Sequence, residues 1–231
     1  VRKQKFTSGD IHFGVKSTDT ELPLQFSAET NLMLYERQYD LGISDNQENI
    51  IRTKAQVAGS ISEEQIIGIA FAMDNVFYKN NDFENYTSLN LNPHYRLEND
   101  DWKIRLGAQV DMAFGFGKKF RAAPDVSVEY NFSDSYILYA QAKGGKLQND
   151  FRRLETFCPY GQITPQLDAT YEQLNTAIGF KASPAAGLWL NLYGGYQNLK
   201  DDLFFQPTIL TPAASEPYPM LSINQWNTSN F

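Results

Sequence analysis

Apolar and polar residues alternate with a period of two from one end of the chain to the other, the spacing of strands whose two faces meet different surroundings. From Trp102 to Phe114 one face carries Trp102, Ile104, Leu106, Ala108, Val110, Met112 and Phe114, and the other Lys103, Arg105, Gly107, Gln109, Asp111 and Ala113. Leu24 to Leu34, Thr53 to Ile61, Ile67 to Met73, Leu89 to Glu98, Asp125 to Phe132 and Leu174 to Lys181 read the same way. Tyr136 to Ala142 and Leu188 to Tyr196 have strand composition, but Ile137, Tyr139, Trp189 and Tyr193 put large side chains on both faces. Ile11, Phe13 and Val15 begin the series, a last strand is expected near Leu221, and the total is about eleven. No helix-period apolar stripe of useful length appears.

The connections alternate. Tight ones are expected at 62–64, 98–101, 133–135 and 183–187, with 16–23 somewhat longer; long ones fall at 36–49, 75–85, 115–121, 143–168 and 198–220. If successive strands pair as a meander, all tight turns lie at one end of the sheet and all long loops at the other. Transmembrane barrels show that asymmetry. Pro207, Pro212, Pro217 and Pro219 mark the last long loop as extended.

Alternation alone leaves open which face is dry, since a soluble barrel has the same dyad turned inside out. Lys54, Arg105, Asp111 and Glu129 sit in mid-strand on the polar faces, as a water-filled lumen would have them. The strands are long enough for a tilted bilayer crossing, which takes about 9–11 residues. Tyr95, Trp102, Phe132, Tyr136, Phe180 and Trp189 gather beside the tight turns, like an interfacial girdle. The expected fold is therefore an all-β, antiparallel up-and-down transmembrane β-barrel of about 10–12 strands, one domain or barrel segment over residues 1–231. The competing reading is a soluble barrel or sandwich that binds a small ligand or carbohydrate.

Composition narrows the function classes. With 231 residues, 42% hydrophobic, 20% charged and one cysteine, the chain is neither disordered nor a disulfide scaffold. Its longest apolar run, Ile66 to Met73, is too short for a membrane helix, and the first residues show no signal-peptide core. A net charge of -7 argues against nucleic acid as partner. Aromatics at 14% favour strands.

The hairpins Tyr95-Arg96-Leu97-Glu98-Asn99-Asp100-Asp101-Trp102-Lys103-Ile104 and Tyr130-Asn131-Phe132-Ser133-Asp134-Ser135-Tyr136, with Leu190-Asn191-Leu192-Tyr193-Gly194-Gly195-Tyr196, resemble the barrels of Bacteroidetes outer-membrane proteins, particularly TonB-dependent-receptor-like ones. The resemblance covers most of the chain in style and contains no single diagnostic motif. It implies a barrel of about 22 strands in a bacterial outer membrane, with an N-terminal plug and an energy-coupling segment ahead of it. It further implies an energy-coupling partner, a surface lipoprotein, and uptake of a small-molecule or glycan ligand through the lumen. Neither plug nor coupling segment is visible in the sequence, and no closing alternation runs into Phe231, so the chain reads as a piece of a larger barrel.

Candidate chemistry lies in the loops. Phe116, Lys118, Lys119 and Arg121, and Phe151, Arg152, Arg153 and Tyr160, join cations to rings, a combination suited to sugars or anionic ligands. The plainer reading is that these rings pack the loops on each other. His12 and His94 stand alone on polar faces, and Cys158 has no partner, so no metal site, cofactor or enzyme is expected. Ser88, Asn90 and Asn92 precede His94 on one face, which keeps an outer-membrane lipid hydrolase as a lower alternative. The acidic stretches 45–49 and 80–85 lack the spacing and central Gly of an EF-hand loop.

Overall fold

The computed structural model describes residues 4–19, 22–39, 46–79, 82–133, 135–159, 161–162, 165–210 and 218–231. In chain order the elements are β1 (Gln4–Lys16), β2 (Leu24–Tyr39), β3 (Asn46–Ser60), β4 (Gln65–Tyr78), β5 (Tyr86–Glu98), β6 (Trp102–Phe114), β7 (Phe120–Ser133), β8 (Tyr136–Leu147), α1 (Phe151–Phe157), β9 (Gly161–Gln162), β10 (Thr170–Ala185), β11 (Leu188–Leu210) and β12 (Tyr218–Asn230). The strands form a single sheet in the order β1-β2-β3-β4-β5-β6-β7-β8-β10-β11-β12-β9. All long strands pair antiparallel with their chain neighbours, and β9 adds a two-residue parallel pairing to β12. This is an up-and-down meander, the wall of a transmembrane barrel.

Register carries the face assignment. Val57 lies opposite Ile69, Leu91 opposite Val110, and Leu106 opposite Val126, so each apolar row continues from strand to strand. Val57, Ile67, Ile69 and Leu106 of those rows are exposed, as are Leu24, Phe26 and Phe13. The opposite face carries the ion pairs Lys54–Glu29 (3.2 Å), Arg52–Asp74 (2.7 Å) and Arg105–Asp125 (2.8 Å). Described residues between β8 and β10 pack on that polar face. One cluster there joins Tyr35 of β2 and Phe151 and Leu154 of α1 to Leu203 of β11 and Ile223 of β12. Side chains that touch strands near both edges of one sheet must lie inside its curl, so the polar face is the concave one and the oily face is the outside.

Local chemistry explains the turns. Asn99 Oδ1 accepts from the N–H groups of Asp101 and Trp102, closing the β5–β6 hairpin as an Asx turn. Aromatics gather outside that end of the sheet: the Trp102 and Tyr130 rings lie 4.4 Å apart, and Phe132, Tyr136 and Phe180 stack within 6.1 Å of one another. The expected girdle is present on those strands. Trp189 departs from it, because the alternation of β11 places it on the inner face with Asn191, which accepts from the lumenal Tyr139 hydroxyl at 3.1 Å.

Three further features differ from what the sequence predicts. β11 runs on to Leu210, with Pro207 opposite Leu221 and Ile209 opposite Pro219, in place of an extended loop; Pro212 and Pro217 lie outside the described residues. Strands also reach farther at the long-loop end than the oily rows do, so connections 40–45 and 115–119 are no longer than the turn 17–23. The long end is therefore distinguished mainly by 148–169. Finally, α1 and β9 have no counterpart in the alternation; a seven-residue helix is too short to show a 3.6-residue period.

The face assignment predicts an asymmetric cost of charge. Replacing the outward Ile69 by Arg is expected to destabilise the lipid-embedded protein by about 2–4 kcal/mol, the cost of a cation on the lipid face near the bilayer centre. Replacing the adjacent lumenal Ala70 by Arg should cost under about 1 kcal/mol, since surface changes away from packed groups do little. Urea unfolding in lipid vesicles reads both.

Candidate ligand site at the long-loop end

At the long-loop end the described residues of 148–169 pack against the inner face of the wall, and each contact follows from a nearby residue choice. Asp150 caps α1, its Oδ1 accepting from the Arg153 N–H at 2.8 Å. Glu48 of β3 reaches the same helix start, accepting from the Phe151 N–H at 2.8 Å. Phe151 packs against Tyr35, Tyr78 and Phe83, with ring centroids 5.3 to 6.1 Å apart. Arg152 forks onto Asp10 of β1 at 2.8 and 2.9 Å and also donates to the carbonyls of Gly9 and Leu34. Arg37 pairs with Glu155 at 3.2 Å and donates to the Pro159 carbonyl. Partial burial lowers the pKa of Arg153, with Asp150 and Asp202 opposing the shift.

On the other side Arg121 of β7 is the organising cation. Its Nη2 donates to Asp168 at 2.9 Å and to Asp201 at 2.6 Å, and its Nη1 to the Ala169 carbonyl at 3.3 Å. Asp201 has φ 53°, at the register shift between Leu199 and Asp202. The bulge gives β11 an extra residue there, and the left-handed backbone aims this carboxylate at Arg121, a conformation a non-glycine residue adopts only where its surroundings hold it. The carbonyl of Asp201 accepts from Thr170 Oγ1 and Gln225 Nε2, both at 2.9 Å.

Between Arg121 and β5 lies a small, partly open cavity of about 30 Å³, lined by Tyr86, Ser88, Asp111, Phe116, Lys118, Lys146, Gln148 and Asp168 among others. That volume admits about one water molecule. Ser88 Oγ and Asp111 Oδ2 are buried with no hydrogen-bond partner among the described residues, so a polar guest fits better than an apolar one.

Of the loop residues that the sequence suggests as ligand contacts, Phe116, Lys118 and Arg121 converge on this cavity, whereas Lys119 is exposed on the same loop. Phe151 is buried in the loop core, Arg152 is engaged with Asp10, and Arg153 is half-buried on α1. Tyr160 lies outside the described residues. Alternation could not point to Tyr86, Asp111, Lys146, Asp168 and Asp201, because their convergence depends on the fold-back of 148–169 and on the β11 bulge. His94 is buried flat against the wall between two glycines. A Cβ at Gly68 would lie 3.0 Å from its Nε2, and one at Gly107 3.0 Å from its own Cβ. Its Nδ1 contacts the Asn92 carbonyl at 3.1 Å. His12 lies 3.4 Å from Glu29 on the open lumenal face. Among the described residues no group of three or more His, Cys, Asp or Glu gathers as a metal site.

These elements define a class: a section of transmembrane barrel wall with an inner loop folded against it. Solved structures share the fold of that wall. The siderophore receptor PirA from Pseudomonas aeruginosa superposes with a TM-score of 0.69 over 98% of this chain and 43% of its own, at 10% identity. PirA from Acinetobacter baumannii gives 0.65 over 98% and 41%, also at 10%. The FrpB iron transporter from Neisseria meningitidis, F3-3 variant, gives 0.61 over 94% and 39%, at 12%. The chain thus spans about two fifths of the length of these proteins. No protein-family model and no curated protein matches the sequence.

Arg121→Ala is expected to loosen 148–169. Loss of charge-assisted hydrogen bonds of about 1.5–3 kcal/mol should raise amide exchange in that segment by about tenfold to a hundredfold, as read by hydrogen–deuterium exchange mass spectrometry. The exposed Lys79→Ala should leave that exchange unchanged.

Proposed function

We propose that the chain is a section of the barrel wall of a TonB-dependent-receptor-type importer in a bacterial outer membrane, and that the full barrel passes a ligand captured at its long-loop end. The observation that carries this reading is the pairing of an oily outer face with a charged concave face, in an architecture common to PirA and FrpB. The soluble alternative needs the reverse, with Val57, Ile69 and Leu106 meeting across a dry interior; here they are exposed. Strands supplied by the remainder of the barrel would cover the outer edge of β1 and most of that of β12, as hydrocarbon requires of any exposed sheet edge.

The names of the similar proteins speak of siderophores and iron. Extended to this chain they support a small chelate or other polar organic ligand, with Phe116, Lys118 and Arg121 at the entry side. An energy-coupling partner and a surface lipoprotein belong to the same proposal.

Cysteine accessibility tests it. The native Cys158 is buried and gives little background. In native membranes, Ala70→Cys is expected to react with a membrane-impermeant maleimide that can enter the lumen, while Ile69→Cys is expected to stay unlabelled until detergent is added. Equal labelling of both before detergent, or recovery of the protein as a soluble monomer, would overturn the reading.

A further inference from the structure

Pro93 lies inside β5, an interior strand of the sheet, and has no N–H to give to a neighbour. The pairing shows which neighbour is left short. The β4–β5 ladder runs through Ile69–Pro93 without a gap, whereas the β5–β6 ladder holds Leu91–Val110 and His94–Gly107 and skips the two rungs between them. That register puts Pro93 across from Ala108, so the missing bond is the one the Ala108 carbonyl would accept. Ala108 is the central residue of β6, and its side chain belongs to the oily outer row with Leu106 and Val110. A carbonyl unpaired at that depth finds no water to bond.

A lumenal side chain reaches that carbonyl. Asn92 is buried, and its Nδ2 donates to the Ala108 carbonyl at 3.2 Å and to Asp125 Oδ2 at 3.0 Å. Its Oδ1 accepts from Arg105 Nη2 at 2.8 Å, and Arg105 Nε donates to the same Asp125 oxygen at 2.8 Å. Both N–H groups of the amide are thus used, and its orientation is fixed from the neighbouring strands. We propose that Asn92 is a stitch in the wall: from the lumen, its amide replaces the backbone donor that Pro93 removes, and the Arg105–Asp125 pair positions it. The β5–β6 seam is then closed at mid-height by a lumenal side chain, and a lumenal event that draws Arg105 off Asp125 loosens the wall there. The inference concerns the wall itself and is independent of what the lumen carries.

Urea unfolding of the full chain in lipid vesicles tests the stitch through a two-residue cycle. Asn92→Ala is expected to raise the unfolding equilibrium constant by about tenfold to a hundredfold, the effect of leaving a buried acceptor unsatisfied. Pro93→Ala restores a backbone N–H. In the Asn92→Ala background it should recover about tenfold or more, the worth of one hydrogen bond to a buried group, whereas in the unaltered chain, whose carbonyl is already bonded, it should recover nothing. Asn90→Ala, which removes only bonds to the side chains of Gln109 and Asp111, should show no such coupling to Pro93→Ala. An equal effect of Pro93→Ala with and without Asn92, or coupling of the same size to Asn90→Ala, overturns the proposal. If Asn92→Ala alone does not fold, the double variant decides: its folding upholds the stitch and its failure overturns it. Absence of coupling with the labelling contrast between Ala70→Cys and Ile69→Cys intact would remove the stitch and leave the transport reading standing.

Discussion

A backbone amide or carbonyl exposed to hydrocarbon has no water to bond, and each one left unpaired there costs several kcal/mol. The rest of this structure follows from that constraint. It explains why the long strands pair in chain order with registers that hold for most of their length, and why the register shifts fall toward the strand ends, at Asn131/Ser133 and Ala182/Ala185 beside tight turns and at Glu172/Asn175 and Leu199/Asp202 toward the long-loop end. The shift between Leu199 and Asp202 lies on a strand that continues well past its oily stretch, and the shift between Glu172 and Asn175 lies beneath the 148–169 segment. The wall stays regular where lipid would demand it and bends where protein or water can satisfy the freed groups.

The same constraint made the fold legible. A strand with lipid on one side and water on the other must alternate, and Trp102 to Phe114 does so without a break, so β6 could be read to the residue. Ile137, Tyr139, Trp189 and Tyr193 broke the rule in the sequence. The structure puts Tyr139 on the lumenal side, against Lys181 and Asn191, and Trp189 and Tyr193 with it by strand alternation. An inner wall is free to carry rings, so a two-sided pattern need not weaken a strand assignment. Structure that depends on contacts distant in sequence leaves no local pattern. Pro207 looked like a loop residue, yet β11 tolerates it opposite Leu221. α1 owes its place to Glu48, Asp10 and Arg37, more than a hundred residues away, which no local period could announce.

The candidate site was legible only in part for the same reason. Arg121 sits in a recognisable basic and aromatic run, but its role is set by Asp168 and Asp201, brought to it by a folded-back loop and a bulge. Phe151 and Arg152 looked like a ligand platform because a ring beside a cation serves packing as well as binding. In the structure both hold α1 to the wall, Phe151 through Tyr35, Tyr78 and Phe83, and Arg152 through Asp10. The inner loop is thus tied by side chains from β1, β2 and β3 on one side and from β7, β11 and β12 on the other. Anything that freed it would have to disturb both sets of ties.

The lumenal charges serve a different purpose from those ties. Exposed ion pairs contribute on the order of 0–1 kcal/mol, so Lys54–Glu29 and Lys103–Glu98 do little for stability. Their effect is to keep the concave face solvated and to prevent it from competing with the outer face for lipid. A wall stabilised by backbone pairing and by its oily exterior can vary its interior at small energetic cost. Such freedom is what allows Arg96 to face Arg105, a juxtaposition poorly suited to a strand that needs its side-chain pairs for stability. The inner surface is therefore the part of the wall least constrained by folding, and it is also the surface a passing solute would meet.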